Sequence, residues 1–161
     1  MVGMNETDVS GTQRVDAIVA AGRRAHPTIE LDRAALAPFV GALDAEVAHP
    51  ADVYLAAACL VGVPAAIAVL ERELLAPISD FVARIDASAD FANEVRQAVR
   101  AKLLMSGRNG GAPKLTEYAG RGPLGGWIRV IAVRTAIDLR RAGGPERPDD
   151  DAARVVAVSF D

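Results

Sequence analysis

The stretch KLTEYAGRGPLGGWIRVIAVRTAIDLRR, residues 114–141, carries the strongest structural pattern in the chain. Its first half is a basic loop interrupted by glycines, and Pro123 then begins a helix that should end before Gly143. At about 100° per residue, the apolar positions of this helix form two nearly opposite sides. These are Ile128, Ala132, Thr135 and Leu139 on one side, and Val130, Val133 and Ile137 on the other. Such a helix is expected to pack against neighbours on both sides.

Two polar strips lie between these apolar sides. The Trp127 strip consists of Trp127, Arg134, Asp138 and Arg141. The Arg129 strip consists of Arg129, Ala136 and Arg140. Two interpretations stay open for the first strip: a tryptophan packed in the core beside solvated arginines, or an aromatic surface flanked by cations that binds a ligand.

Helical periodicity extends over the rest of the chain, with glycine and proline between the segments. Hydrophobic residues make up 51% of the 161 residues but aromatic residues only 4%, and alanine, the best helix former, is abundant. The sequence therefore predicts an all-α, compact bundle of about five to six helices. The predicted segments are residues 12–25, 33–48, 52–61, 65–85 with a kink at Pro77, 91–105 and 123–142, with a short helical turn at 114–118.

The domain organisation follows from these segments. A flexible tail is predicted for residues 1–12 and a helical domain for residues 13–142. Within that domain, residues 13–50 form an N-terminal extension and residues 51–142 the core. An acidic linker, residues 143–161, would follow.

Charge is unevenly distributed along the chain. Residues 96–141 hold ten Lys and Arg against two acidic residues, whereas residues 1–95 hold six basic against fourteen acidic residues. The formal net charge of −3 hides this asymmetry. A positive surface that contains an aromatic side chain suits nucleic acid with unpaired bases.

Several other classes of protein fit the sequence poorly. The single cysteine, Cys59, excludes an intramolecular disulfide and is expected to be a buried thiol in a reducing cytoplasm. Residues 53–70 carry no charge and approach the length of a membrane span, but Gly62 and Pro64 interrupt them. Two buried helices joined at Gly62, and no membrane span, are therefore predicted.

The sequence offers no catalytic or metal-binding pattern, so we expect neither an enzyme nor a cofactor. His26 and His49 each precede a proline, and no Cys or His cluster surrounds them. The glycines at 120–126 lead into a helix as phosphate-binding loops do, but no strand precedes them and no G-K-[ST] follows.

Three blocks of the chain together resemble a known family. Residues 125–141, GGWIRVIAVRTAIDLRR, are similar to the segment of bacterial RNA polymerase sigma factors that melts and reads the promoter −10 element. Residues 58–75, ACLVGVPAAIAVLERELL, resemble the opening of the same domain, and residues 92–104, ANEVRQAVRAKLL, resemble the helix that binds the polymerase clamp. The order and spacing of the blocks agree with region 2 of the sigma-70 superfamily, in its extracytoplasmic-function-like form.

This resemblance implies partners and site residues. Contact with the clamp of the largest subunit of RNA polymerase core would fall on Glu94, Gln97, Arg100 and Leu104. Contact with promoter DNA, in particular the non-template single strand, would fall on Lys114, Tyr118, Arg121, Trp127, Arg129, Arg134, Arg140 and Arg141. An anti-sigma protein is a further partner that the resemblance implies, and the linker at 143–161 would lead to a second, promoter-reading domain.

The chain departs from the family pattern at three positions, namely Asn93, Arg100 and Arg134. The alternative to a sigma-like function is a helical DNA-binding or protein-interaction regulator, a homodimer or an adaptor, that uses its alanine-rich faces.

Overall fold

The computed structural model describes residues 6–43, 47–107 and 109–143, and within these ranges it contains helices and no strand. The helices are α1 (Glu6–Ala25), α2 (Arg33–Gly41), α3 (Pro50–Val61), α4 (Pro64–Val69), α5 (Ile78–Val82), α6 (Ala89–Leu104) and α7 (Leu124–Ala142). A π-helical turn, Leu70–Leu75, joins α4 to α5, and a 3-10 turn, Lys114–Glu117, precedes α7. When the stretch Pro64–Val82 is taken as one bent helix, the described chain has six helices. The predicted all-α bundle is confirmed.

Helix α3 lies at the centre of the bundle, because its residues 53–59 are all buried. The Tyr54 ring packs directly on α1, where a Cβ added at Gly22 would lie 2.0 Å from the ring. The Tyr54 hydroxyl donates a hydrogen bond to the carbonyl of Ile29 (2.8 Å) and accepts one from the amide of Leu31 (3.2 Å). These two hydrogen bonds hold the connection between α1 and α2 against α3, and they give the buried hydroxyl both an acceptor and a donor partner.

The break between α3 and α4 lies at Gly62, as the sequence predicts. Gly62 adopts a left-handed conformation (φ 91°) that ends α3, and Pro64 begins α4. The helical stretches on either side of this break are bent by 117°, and no single helix among the described residues is long and apolar enough to cross a membrane. Cys59 is buried beside the break, and burial raises the pKa of its thiol to about 12.

Three predicted boundaries differ from the structure. Helix α1 begins at Glu6 rather than at residue 12, so part of the predicted tail is helical. Helix α2 ends at Gly41 rather than at residue 48. The predicted helix 65–85 is a helical stretch, Pro64–Val82, that ends before residue 85; it widens to a π-helical turn before Pro77, which has no amide hydrogen to donate.

Two predicted segments fall partly or wholly outside the described residues. These are residues 1–5 of the predicted tail and, beyond Gly143, the predicted linker.

Candidate nucleic-acid interface

The first apolar side of α7 forms its packing surface. Ile128, Ala132 and Thr135 are buried as predicted. On the second side only Val133 is buried, and Val130 is half-exposed. The predicted packing on both sides is therefore more extensive on the first side than on the second, where Val130 and Ile137 are half-exposed.

The start of α7 is fixed by α3, which the sequence analysis does not anticipate. The Asp52 carboxylate, in the first turn of α3, accepts a hydrogen bond from the amide of Leu124 (Oδ2 to N, 2.9 Å). The amide of His49 donates to the carbonyl of Gly120 (2.9 Å). Gly120 has φ +72°, and a Cβ there would lie 2.6 Å from the Cγ2 atom of Val53, so glycine is required. No local pattern reveals these contacts, because the partners are far apart in sequence.

Trp127 lies on this fixed start of α7, and its ring packs beside that of Tyr118. Its ring is half-buried, and its centroid lies 5.5 Å from that of Tyr118 with the planes inclined by 57°. Such tilted aromatic pairs contribute about 0.5–1.5 kcal/mol beyond the area they bury. Trp127 is therefore neither a core residue nor a free surface residue: it combines packing with a partly exposed ring.

Tyr118 cannot contact DNA as predicted, because it is only 6% exposed. Its hydroxyl donates to the carbonyl of Gly122 (2.6 Å). Burial, followed by the negative charge of Asp52, raises the pKa of Tyr118 above its ordinary value. Its role in the structure is to support Trp127.

The Arg129 strip faces α5 and the α5–α6 connection. The guanidinium carbon of half-buried Arg129 lies 4.7 Å from the centroid of the Phe81 ring, a cation–π contact. Arg140 donates from Nη1 to the Oδ2 atom of Asp86 (2.9 Å). Both cations are therefore engaged within the bundle, and the DNA contacts at Arg129 and Arg140 stay predictions.

The Asp86 carboxyl that holds Arg140 also organises the start of α6. Its Oδ1 atom accepts a hydrogen bond from the amide of Ser88 (2.8 Å). Bonds from the Ser88 amide and hydroxyl, with the charge of Arg140 as a smaller cause, hold the pKa of Asp86 below its ordinary value.

The Trp127 strip, in contrast, is open. Arg134 and Arg141 are exposed, and neither forms an ion pair or hydrogen bond with any residue that the structure describes. Arg121, in the loop before α7, is exposed in the same way. Lys114 is exposed too, but its ammonium lies 2.6 Å from the carboxylate of Glu117. Such a surface ion pair is weak enough to be exchanged for a phosphate.

A groove of about 790 Å³ separates the end of α6 from the middle of α7, beside Arg134. Three cations, Lys102, Lys114 and Arg134, and one acid, Asp138, surround it, which leaves a net positive charge. Met105, which is 62% exposed, and Ile131 form its apolar part. The groove thus combines positive charge with an apolar surface, the two properties that a flexible single strand with exposed bases requires.

Lys102 and Met105 belong to this groove although the sequence analysis does not select them. The Lys102 ammonium donates to the Thr135 hydroxyl (3.0 Å), which in turn donates to the carbonyl of Ile131 (2.7 Å). The position of α6 against α7, which local periodicity does not contain, decides that these side chains meet.

The predicted polymerase surface on α6 is only partly open. Glu94 and Gln97 are exposed on one face of the helix. Arg100 forms an ion pair with Glu71 of the π-helical turn, and half-buried Leu104 packs on the core. The free part of this surface is therefore its first half, whereas Arg100 and Leu104 are already engaged.

The described residues contain no group of three His, Cys, Asp or Glu side chains that could hold a metal ion. Comparisons of the chain with protein-family models, curated proteins and solved structures found no match.

Proposed function

We propose that this chain is a cytoplasmic transcription initiation domain of the sigma region 2 type. In this proposal it binds RNA polymerase core and recognises and melts the promoter −10 element. The observation that carries the proposal is the Trp127 strip: a partly exposed tryptophan shares one open helix strip with Arg134 and Arg141. One of the three sequence blocks that resemble sigma factors, residues 125–141, lies within α7 and contains this strip.

The dimensions of the strip suit a nucleic-acid strand. At 1.5 Å per residue, Arg134 lies about 10 Å along α7 from Trp127, and Arg141 about 21 Å. That length corresponds to about six nucleotides of one strand at the spacing of duplex DNA. A base stacked on Trp127 and phosphates held by both arginines could therefore belong to the same strand.

The groove supplies the neighbouring contacts that melting needs. Lys102 and Lys114 extend the positive charge from Arg134 across to α6, and Met105 offers an apolar contact to a base face. Unpaired bases gain from both kinds of contact, whereas paired bases present only phosphates and groove edges. The surface would therefore favour the melted promoter over the duplex.

Polymerase binding is assigned to the free half of the α6 surface. Glu94 and Gln97 are exposed, so they can meet a partner without any change in the bundle. Charge reversal by Glu94→Lys should weaken binding to core while the domain stays folded, and Glu30→Lys, an exposed acid in the connection between α1 and α2, is the matched control.

Copurification followed by a melting assay tests the proposal. The tagged chain should retain RNA polymerase core, and Glu94→Lys should retain less of it than Glu30→Lys does. The complex should then raise the fluorescence of 2-aminopurine placed in the −10 element of a promoter. A chain that sediments as a dimer and retains no core would instead support the homodimeric regulator.

A further inference from the structure

We infer that Asp52 is a positioning residue for Trp127: it fixes the start of α7 from a different helix, and the indole ring is placed by that contact. Its consequence for promoter opening rests on the proposed function, but the positioning itself does not.

The direct contact is the hydrogen bond from the Leu124 amide to the Asp52 carboxylate, at 2.9 Å. Leu124 is the first residue of α7, and amides in the first turn of a helix have no partner within that helix. Pro123, at the N-cap position, makes no side-chain cap hydrogen bond. Asp52 therefore supplies from α3 the capping contact that the local sequence lacks, and its negative charge lies at the positive end of the α7 dipole.

The same end of α3 holds the other side of the loop. His49 donates its amide to the Gly120 carbonyl at 2.9 Å, and Gly120 is packed tightly against Val53. Two hydrogen bonds from α3 therefore bracket the loop between Gly120 and Leu124. Trp127 follows only three residues later, on the first turn of α7.

Asp52 also acts on the residue that supports the indole ring. After burial, the negative charge of Asp52 is a further cause of the raised pKa of the Tyr118 hydroxyl. The Tyr118 ring in turn packs against Trp127. Asp52 thus holds the start of the Trp127 helix by a hydrogen bond, and its charge acts on the aromatic neighbour of Trp127.

Three variants separate positioning from general stabilisation. Asp52→Ala removes the acceptor, and Asp52→Asn keeps an oxygen that can accept from the Leu124 amide. Ser88→Ala removes a different helix cap, because the Ser88 hydroxyl accepts from the Phe91 amide (3.2 Å) at the start of α6. Ser88→Ala is therefore the control: it also removes a helix-capping hydrogen bond, but at α6 and not at the helix that carries Trp127.

The first measurement is acrylamide quenching of Trp127, the only tryptophan, in the isolated chain. It is made at a temperature where circular dichroism shows each variant fully folded. We expect more quenching and a red-shifted emission in Asp52→Ala, and values near wild type in Asp52→Asn and Ser88→Ala. Unchanged quenching in Asp52→Ala, or an equal increase in Ser88→Ala, would overturn the inference. Failure of Asp52→Asn to restore the wild-type value would overturn the role of the hydrogen bond.

The second measurement is promoter opening with RNA polymerase core. Asp52→Ala should open promoters about tenfold more slowly, since a displaced ring loses the stacking of one base, and Asp52→Asn should recover most of that rate. Retention of core should be unchanged in both. If wild type opens no promoter while quenching responds as expected, the proposed function fails and the positioning stands. If wild type opens promoters and Asp52→Ala matches it in both measurements, the positioning role fails and the proposed function stands.

Discussion

The two polar strips of α7 have similar sequences and different surroundings. Each contains two arginines, yet Arg129 and Arg140 are held by Phe81 and Asp86, whereas Arg134 and Arg141 meet no described partner. The Arg129 strip attaches α7 to α5 and to the start of α6. The Trp127 strip is open, and we propose that it binds the ligand.

This difference shows how a charged helix can serve packing and binding at once. A guanidinium that covers an aromatic ring is partly desolvated and contributes to folding through its stem and its charge. An exposed guanidinium contributes little to folding and keeps its hydrogen-bonding capacity for phosphates. Substitutions in one strip should therefore change stability, and substitutions in the other should change ligand binding.

The largest effect is expected from Trp127→Ala. Loss of one stacked base costs about 1–3 kcal/mol, so promoter opening should slow by about tenfold or more. Binding of duplex DNA should change much less, because paired bases cannot stack on the ring. Opening is followed with 2-aminopurine in the −10 element, in complex with core polymerase.

Trp127→Phe is the control for this prediction, because it keeps an aromatic face beside Tyr118 and should keep most of the activity. If Trp127→Ala opens promoters as fast as wild type and Trp127 emission does not respond to a melted promoter, the ring is only a packing residue. The proposal that the Trp127 strip binds a ligand, in contrast to the Arg129 strip, would then be wrong.

The next effect is expected from Arg134→Ala and Arg141→Ala. Each should weaken binding of single-stranded and duplex DNA alike and reduce the slope of log affinity against log salt by about one, the loss of one phosphate contact. Arg140→Ala is the matched control from the other strip and should leave the slope unchanged. Equal slopes for Arg140→Ala and Arg134→Ala would show that the two strips do not differ in ligand binding.

The helices and the buried side of α7 can be predicted from the sequence, because both depend on local periodicity and on the residues that interrupt it. Ile128 and Ala132 are buried as predicted, and α3 ends at Gly62 as predicted. The local sequence does not predict which of the two strips packs against α5. Arg129 and Arg134 look alike on a wheel, and only the position of Phe81 separates them.

The same limit explains the residues that the sequence analysis misplaced or missed. Tyr118 follows a basic loop and looks accessible, but the 3-10 turn before it directs its ring into the core. Asp52 looks like an ordinary acid at the start of a helix, and its role depends on a residue 72 positions away. Lys102 joins the groove only because α6 packs beside α7. The local pattern therefore predicts the helices, whereas the residues of the site are decided by how the helices pack against one another.

The third prediction concerns stability. Arg129→Ala should lower the free energy of unfolding by about 1–2 kcal/mol, since it removes a partly desolvated cation–π contact and the packing of the arginine stem. Arg134→Ala, in the open strip, should stay within about 0.5 kcal/mol of wild type. Urea unfolding measured by circular dichroism gives both values. If Arg134→Ala proves the more destabilising of the two, the assignment of the strips to packing and binding is reversed.

The smallest effect is expected from the pH dependence of the Asp86 contacts. The pKa of Asp86 is lowered in the folded chain, so its contribution to stability is fully present above the unfolded pKa of about 3.9 and is lost as pH falls through the folded value. Asp86→Asn should therefore be less stable than wild type at neutral pH and should approach it as the solution is acidified. Because the Ser88 bonds are the larger cause of the shift, Arg140→Ala should raise the Asp86 pKa only slightly, whereas loss of the Ser88 hydroxyl in Ser88→Ala should raise it more. Carboxyl chemical shifts followed by NMR titration give these values. A larger rise in Arg140→Ala than in Ser88→Ala would mean that the ion pair, rather than the turn at the start of α6, holds this carboxylate in its charged form.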